Sequence, residues 1–159
     1  RPEVCVWDEE VAGKDETWDM EEFVARILAM LARNGLHYDN VDQWVGDRSA
    51  QGKGGKVSNR DMRAHFAAAL TRTWSQVRNI DIPRKGAGSV PYGCGVLNSL
   101  FRRGCAWVHP RCKSFIKFAE HFVGDPKQLE KDAGDSARYA ILGLVNESAW
   151  YLLAGRKAT

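Results

Sequence analysis

Two aspartates three residues apart, Asp132 and Asp135, introduce the last apolar segment of the chain. A proline-free run from Ile141 to Leu153 follows them, which predicts that they occupy the first turns of the last helix. Residues three apart share one helix face, so both carboxylates can point at one object. A hard divalent metal ion is such an object, because it prefers oxygen ligands and negative charge. The alternative is structural: Asp132 is the N-cap and Asp135 its companion in the helix dipole.

A third acid, Asp47, follows a short apolar segment, Val41 to Gly46, that predicts a strand. A strand over Glu3 to Trp7 and one helix precede it, so the order is strand, helix, strand. Short connections in this order favour a βαβ crossover with at least one parallel pair. Active sites of open α/β sheets lie beyond the carboxyl ends of strands, and Asp47 stands at such an end. The alternative is that Asp47 begins a turn.

The other elements are predicted from apolar periodicity and capping residues. The first helix carries a core-facing stripe at helical spacing, made of Met20, Phe23, Val24, Ile27, Leu28 and Leu31. Thr17 is its predicted N-cap, and Asn34-Gly35 ends it. Four further helices are predicted: from the Ser58 capping box through Leu70, around Val96 to Phe101, over Lys113 to Phe122, and from Asp132 onwards. Two further strands are predicted over Val77 to Ile82 and Cys105 to Val108. The chain is therefore predicted to be an α/β protein.

Two basic, glycine-bearing loops, residues 48–57 and 84–89, are candidates for contacts with a phosphodiester backbone. With the lysine beside the acidic pair, the candidate residues are Lys53, Lys56, Arg84, Lys85 and Lys131. The first loop is not a P-loop, because five residues rather than four separate Gly46 from Gly52-Lys53. A glycine also replaces the hydroxyl residue that would hold magnesium. A plain flexible loop is the alternative there.

The composition is that of an ordinary globular protein. The chain has 159 residues, 44% apolar and 27% charged, which predicts one domain over residues 1–159 with its own core. The net charge is only +3, so any surface that attracts nucleic acid must be local. No apolar run reaches membrane-spanning length.

The four cysteines show no paired spacing and are expected to be reduced thiols. The grouping that invites a zinc interpretation is Cys94, Cys105, His109 and Cys112. Its intervals of ten, three and two residues match no structural zinc pattern. Small buried cysteines are common in strands and at helix starts, and this interpretation is favoured.

Four motifs resemble the nuclease domain of the large terminase subunit of tailed bacteriophages. They are Val45-Gly46-Asp47, Gly95-Val96-Leu97-Asn98-Ser99-Leu100-Phe101, His109-Pro110-Arg111-Cys112-Lys113 and Asp132-Ala133-Gly134-Asp135-Ser136-Ala137-Arg138-Tyr139. The resemblance extends from Val4 to about Leu144, and the last motif is the most specific. It implies a ribonuclease H-like mixed central sheet flanked by helices. It also implies an enzyme that cuts concatemeric viral DNA during genome packaging.

The resemblance implies site residues as well. Asp47 matches the family's acid at the end of a strand, and Asp135 matches its acid in the closing helix. Asp132 matches a position where relatives carry an acid or a histidine that assists the metals. The family's first catalytic aspartate lies in an opening β-hairpin, upstream of Arg1 by this alignment. We therefore expect a truncated chain that lacks this hairpin, or Asp8 as a substitute ligand.

Converging acids suit this reaction, because attack on an anionic phosphodiester needs charge neutralised at the entering and leaving oxygens. Two Mg²⁺ or Mn²⁺ ions about 4 Å apart do this. Their ligands would be Asp47, Asp135, Asp132 and Asp8. No base-reading motif is present, so cleavage of double-stranded DNA should depend weakly on sequence. The family implies an upstream ATPase domain, a small terminase subunit and a portal as partners, and the host cytoplasm as location.

Two alternatives remain open from the sequence. One is a non-catalytic DNA-binding or docking module of the same fold, with an incomplete acid site. The other is a ribonuclease H-like nuclease that resembles a junction resolvase. Metal-dependent cleavage separates the first alternative from an enzyme, and preference for four-way junctions identifies the second.

Overall fold

The computed structural model of the protein describes residues 4–12, 16–46, 59–81, 89–121 and 131–144. Helices and short parallel strands make up these ranges, which confirms a mixed α/β protein. The chain divides into two compact units, residues 1–9 with 83–159 and residues 10–82. A ribonuclease H-like arrangement of the whole, and a single domain over 1–159, stay predictions.

The first unit contains two parallel strands, β1 (Val4–Val6) and β4 (Ala106–Val108). Cys5 lies opposite Trp107 in this pair, and both side chains are exposed. Val4 and Val6 instead pack on the core. Because side chains alternate along a strand, one face of the pair covers the core and the other is open.

Three helices complete this unit: α3 (Ser89–Arg102), α4 (Lys113–His121) and α5 (Lys131–Leu144). Their apolar faces enclose a core in which Val96, Leu100 and Phe115 are no more than 1% exposed. Burying side chains of this size stabilises the fold by about 1.5–3 kcal/mol each. This core fixes α5, the helix that carries the predicted acidic pair.

Two buried glycines let α5 approach its neighbours closely. A Cβ added at Gly134 would lie 2.3 Å from the Phe118 ring on α4. A Cβ added at Gly93 on α3 would lie 2.3 Å from Cγ of Arg138 on α5. Both distances are too short for real Cβ contacts, so both positions need a residue without a side chain.

The second unit also has a parallel strand pair, β2 (Trp44–Val45) with β3 (Ile80–Asp81). Helices α1 (Met20–Arg33) and α2 (Asn59–Ala69) and two 3-10 turns, Tyr38–Asn40 and Trp74–Gln76, belong to the same unit. Its core contains Val24, Tyr38 and Phe66, each 2% exposed or less. The Tyr38 ring stacks on Trp44 with centroids 4.9 Å apart. Aromatic packing thus ties the 3-10 turn to β2 and α2.

The predicted boundaries of α1 are partly right. The N-cap is Asp19 rather than Thr17: the Asp19 carboxylate accepts a hydrogen bond of 2.8 Å from Glu22 N. A carboxylate reaches the first-turn amides and interacts with the dipole, so it is favoured over a hydroxyl two residues earlier. The predicted end is confirmed, since Asn34 is the C-cap and Gly35 has a φ of 68°.

The predicted strand pairing was wrong in its partners. β1 pairs with β4 and β2 pairs with β3, so the parallel crossover joins β2, α2 and β3 rather than β1, α1 and β2. Two strands are also shorter than predicted, because Val41 and Val77 serve as C-caps of the 3-10 turns that precede β2 and β3. The apolar side chain of Val77 is buried in the core of the second unit rather than in a strand.

The helix predicted around Val96 to Phe101 is longer than its apolar stripe. α3 begins at Ser89, with Pro91 in its first turn, where the missing N–H of proline costs nothing. Gly93 and Gly95 lie inside the helix, which the sequence did not indicate. The predicted stop is confirmed, since Gly104 follows with a φ of 60°.

We expect Gly134→Ala to lower the free energy of unfolding by about 1–3 kcal/mol, because the new methyl group overpacks against Phe118. Chemical unfolding measures this change. The matched control is Gly95→Ala on α3, where nothing lies within 4 Å of the added Cβ. That control should gain up to about 1 kcal/mol from helix propensity. A stabilised Gly134→Ala variant would contradict the close approach.

An ion pair in the second unit makes its stability depend on pH. Arg72 donates hydrogen bonds of 2.6 and 2.7 Å to the two carboxylate oxygens of Asp39. These bonds lower the pKa of the Asp39 carboxyl to about 2. Because the unfolded value is about 4, the pair contributes fully above that pH and its contribution disappears as the pH falls towards 2.

The difference in unfolding free energy between the wild type and Asp39→Asn should therefore be constant well above pH 4, fall as the pH is lowered, and vanish below about pH 2. Urea titrations at a series of pH values measure it. Asp42→Asn is the control, since Asp42 is an exposed acid three residues further along. A difference that stays constant down to pH 2 would exclude the assigned ion pair.

Candidate functional site

The structure describes only some of the predicted site residues. Asp47 lies outside it, together with the basic loop residues Lys53, Lys56, Arg84 and Lys85. Lys131 and Asp132 belong to α5, but their side chains are not described. α5 begins at Lys131, which places Asp132 inside the first turn rather than at the N-cap. Asp8 and Asp135 are described in full.

Asp135 is held by an arginine one turn further along α5. Its Oδ1 accepts two hydrogen bonds from Arg138, at 3.2 Å from Nε and 2.9 Å from Nη2. The Arg138 side chain is only 3% exposed, whereas that of Asp135 is 20% exposed. The carboxylate therefore lies at the boundary between the core and solvent, fixed from the inner side by a buried cation.

The buried guanidinium of Arg138 depends on this carboxylate. Burial opposes its charge, but the hydrogen bonds and attraction of Asp135 outweigh burial, so the pKa of Arg138 is raised. Its Cζ lies 4.3 Å from the centroid of the Tyr139 ring. Within the described residues its Nη1 is buried without a hydrogen-bond partner. Asp135 therefore supplies the counter-charge for this buried cation.

Cys94 on α3 lies in the same electrostatic environment. Burial raises the pKa of its thiol, and the nearby Arg138 only partly opposes this effect. The thiol of Cys112 at the start of α4 is shifted in the same direction, to about 11, chiefly by burial. All four cysteines are free thiols, as predicted. A protonated, buried thiol is a poor nucleophile and a poor metal ligand.

The acids after β1 interact with α4. Glu9 accepts hydrogen bonds from the backbone N–H groups of Ser114, at 2.7 Å, and Phe115, at 3.0 Å. It thereby satisfies the amino terminus of α4 with the protein's own carboxylate. Asp8 accepts a bond of 3.0 Å from Glu9 N and lies 3.5 Å from Arg111. Its side chain is 8% exposed. Both acids therefore contribute to local structure.

The carboxyl ends of β1 and β4 bring together an aromatic and basic group. Trp7 and His109 have ring centroids 4.9 Å apart. Arg111 donates a hydrogen bond of 3.1 Å from Nε to Nδ1 of His109, and its Cζ lies 5.9 Å from the Trp7 ring. From the sequence, His109 was assigned to a resembling motif and weighed as a zinc ligand, but not grouped with Trp7. Its position directly after a strand was the signal for this grouping.

A further acid in the second unit was also missed. Asp81 lies in β3, in register with Val45, two residues before Asp47 in the chain. Gln43 donates a hydrogen bond of 2.9 Å to its carboxylate. The sequence signal was an acid within a segment predicted to be a strand. Asp81 therefore lies on the strand paired with β2, after which Asp47 follows in the chain.

Among the residues whose side chains the structure describes, no three histidines, cysteines or acids are grouped as metal ligands. Asp47 and the side chain of Asp132 lie outside these residues, so the predicted ligand set stays a prediction. Asp135 fits one part of it: the carboxylate is held by two hydrogen bonds from Arg138 and is partly exposed, so its oxygen atoms suit a hard cation.

No protein-family model matches the chain, no curated protein is significantly similar to it in sequence, and no solved structure is significantly similar to it in fold. The class of protein that the described residues define is a mixed α/β protein with small parallel sheets. In the described ranges, no helix has the length and apolar character needed to cross a membrane.

We expect Asp135→Asn to lower the free energy of unfolding by about 3 kcal/mol, because it leaves the buried Arg138 charge uncompensated. The double variant Asp135→Asn with Arg138→Met removes both charges and should recover part of this loss. Chemical unfolding of the three variants measures the coupling. Independent, additive effects of the two substitutions would show that the ion pair does not support the core.

Proposed function

We propose that the chain is a metal-dependent endonuclease domain that cleaves double-stranded DNA, of the type found in the large terminase subunit of tailed bacteriophages, with a ribonuclease H-like fold. The observation that supports it is the position of Asp135, the acid of the most specific motif. Arg138 holds this carboxylate by hydrogen bonds at the edge of the core, where the Asp135 side chain is 20% exposed.

Asp47, Asp135, Asp132 and Asp8 would hold the metal ions, Mg²⁺ or Mn²⁺, in this proposal. When bound, such ions neutralise the phosphodiester and generate hydroxide at neutral pH. The contribution of this chain is to position the acids. Gly134 allows α5 to pack against Phe118, and Arg138 fixes the orientation of Asp135 from below.

The substrate in this proposal is a viral DNA concatemer, bound through its backbone by the basic residues of the loops and of α5. The proposed context is a packaging motor in the host cytoplasm. There the domain would follow an ATPase domain and work with a small terminase subunit and a portal. These partners rest on the sequence motifs alone.

A non-catalytic DNA-binding or docking module is the second candidate. The observation that favours it is that both fully described acids of the predicted set are engaged with arginines, Asp8 with Arg111 and Asp135 with Arg138. In this alternative the acids stabilise the fold and cleave nothing. A junction-resolvase-like nuclease is the remaining alternative, and it differs from the first in preferring four-way junctions.

We expect the chain to nick supercoiled plasmid DNA in Mn²⁺ or Mg²⁺, and Asp47→Asn and Asp135→Asn each to reduce the rate by roughly three orders of magnitude. Agarose gel electrophoresis measures the conversion to open circles. Glu120→Gln on α4 is the matched control, because Glu120 is an exposed acid and the same charge is removed. Its rate should equal that of the wild type.

Asp47→Asn leaves the Asp135–Arg138 pair intact, so a loss of activity in this variant does not come from breaking that pair. Rates are compared at a temperature at which circular dichroism shows each variant to be folded. Equal nicking in EDTA would exclude the metal mechanism. Full activity of both aspartate variants would exclude the proposed site. Binding without cleavage in any divalent metal would leave the non-catalytic module.

A further inference from the structure

The strand pair of β1 and β4 separates its aliphatic and aromatic side chains between two faces. The positions that pack on the core are Val4, Val6, Ala106 and Val108. The outward positions that alternate with them are Cys5, Trp7, Trp107 and His109. Trp7 is 53% exposed and Trp107 is 46% exposed. Two tryptophans of this strand pair therefore face outward, while its aliphatic residues face the core.

The pairing of the two strands continues one residue beyond their ends. The backbone N–H of His109 donates a hydrogen bond of 2.8 Å to the carbonyl oxygen of Val6. This bond places His109 beside Trp7, and the two ring centroids are 4.9 Å apart with their planes tilted by 57°. An indole and an imidazole thus form one outward pair at the carboxyl ends of parallel strands, where ligands of α/β sheets bind.

Arg111 fixes the imidazole of His109 in one tautomer. Its backbone N–H and its Nε–H both donate hydrogen bonds to Nδ1, at 3.3 and 3.1 Å. A ring nitrogen that accepts hydrogen bonds carries no proton, so the ring proton of His109 lies on Nε2. Nη1 of Arg111 lies 3.5 Å from the Asp8 carboxylate, which holds the guanidinium in turn. His109 therefore presents Nε2–H as a donor, and the role of Arg111 is to position the ring.

A simpler interpretation is that Trp7 and His109 only stabilise the end of the strand pair. Cross-strand aromatic pairs do so modestly, and this accounts for the contact between the two rings. It does not account for a second tryptophan at an outward position, because Trp107 has Cys5 rather than a ring opposite it. Nor does it require a histidine whose proton is fixed on one nitrogen.

We propose that Trp7 and His109 bind an unpaired nucleotide of a DNA strand. The base stacks on the indole of Trp7, which accepts any base because every base has a π-face. The Nε2–H of His109 donates a hydrogen bond to an oxygen of the adjoining phosphate. Trp107 lies diagonally opposite Trp7 on the same face and stacks the next base.

The chemistry of the outward residues favours a nucleotide over a protein partner. The four side chains offer rings and N–H or S–H donors, and none of the four is aliphatic or acidic. A single strand of DNA offers the complementary set, flat bases and phosphates rich in acceptors. The surface therefore matches a nucleic acid in both stacking and hydrogen bonding.

This inference rests on the proposed function for the choice of DNA, and it deepens that function by naming an unpaired strand as the bound form. Asp8, one of the proposed metal ligands, follows Trp7 directly in the chain. A nucleotide on Trp7 and His109 therefore lies next to one of the acids of the proposed site.

The test is fluorescence anisotropy of a short, labelled single strand of DNA with the full chain in EDTA, where no cleavage interferes. Trp7→Leu should weaken binding about tenfold, because one stacked base is lost. The slope of log K against log salt should stay the same, since no charge is removed. Trp7→Phe keeps an aromatic ring and should weaken binding by no more than about threefold.

The matched control is Trp18→Leu, which removes an indole from the second unit. Its affinity for the single strand should equal that of the wild type, and circular dichroism confirms that each variant is folded. A strand with abasic sites in place of its bases tests stacking from the side of the ligand. It should bind the wild type more weakly, and Trp7→Leu should weaken its binding no further.

The histidine is tested separately from the stacking ring. His109→Phe keeps a ring beside Trp7 but removes the donor, so it should weaken binding about tenfold. His109→Gln restores an N–H near the position of Nε2 and should bind within about threefold of the wild type. NMR of the imidazole nitrogens shows directly which one carries the proton. A proton on Nδ1, or full affinity of His109→Phe, would overturn the assigned donor.

Unchanged affinity of Trp7→Leu for the intact strand would overturn the stacking site. Sedimentation velocity then identifies the competing occupant. If Trp7→Leu abolishes self-association and leaves DNA binding intact, the outward face joins copies of this chain and the nucleotide site is rejected.

The outcomes separate this inference from the nuclease proposal. Binding of single strands that depends on Trp7 and His109, without nicking in any divalent metal, supports the nucleotide site and rejects the nuclease. Nicking that depends on Asp47, with binding indifferent to Trp7 and His109, supports the nuclease and rejects the nucleotide site.

Discussion

The first unit depends on how closely α5 packs against α3 and α4. Gly93 and Gly134 remove the side chains that would hold the helices apart. The space at Gly93 is filled by the stem of Arg138, whose charged end then lies in the interior and needs Asp135. One steric constraint therefore sets an electrostatic one. The position of Asp135 follows from both constraints, because its partner Arg138 is fixed in the core by packing against Gly93.

The described acids of this unit are used to stabilise ends and edges. Glu9 satisfies the amino terminus of α4, and Asp8 lies against Arg111 after β1. Asp135 differs from them because its partner is buried while it is itself partly exposed. A carboxylate that is held from within and open on its outer side is suited to a cation, which is why the nuclease proposal is centred on it.

Charge is distributed along the chain in a way that the net value conceals. An acid-free stretch, residues 82–119, includes α3 and most of α4. The acids of the predicted site come before it (Asp8 and Asp47) or after it (Asp132 and Asp135) in the sequence. A nuclease needs such a separation, because acids gather cations while the DNA backbone needs positive contacts. A binding module needs only the second property. The two candidate functions thus both need basic residues and differ in the acids.

Most helices and strands could be predicted in type and order from the residues alone, because helical apolar spacing and capping residues are local properties. The reduced cysteines, the stop at Gly35 and the acids of α5 were predicted in the same way. The pairing of β1 with β4 and the bond of Glu9 to α4 could not be predicted, since these contacts join residues about a hundred positions apart. Strand pairing and buried ion pairs depend on which surfaces meet, and no local pattern encodes that choice. Gly134 is the clearest case. The acids on either side of it predicted a metal site, but its role in close helix packing became visible only with the Phe118 ring in place.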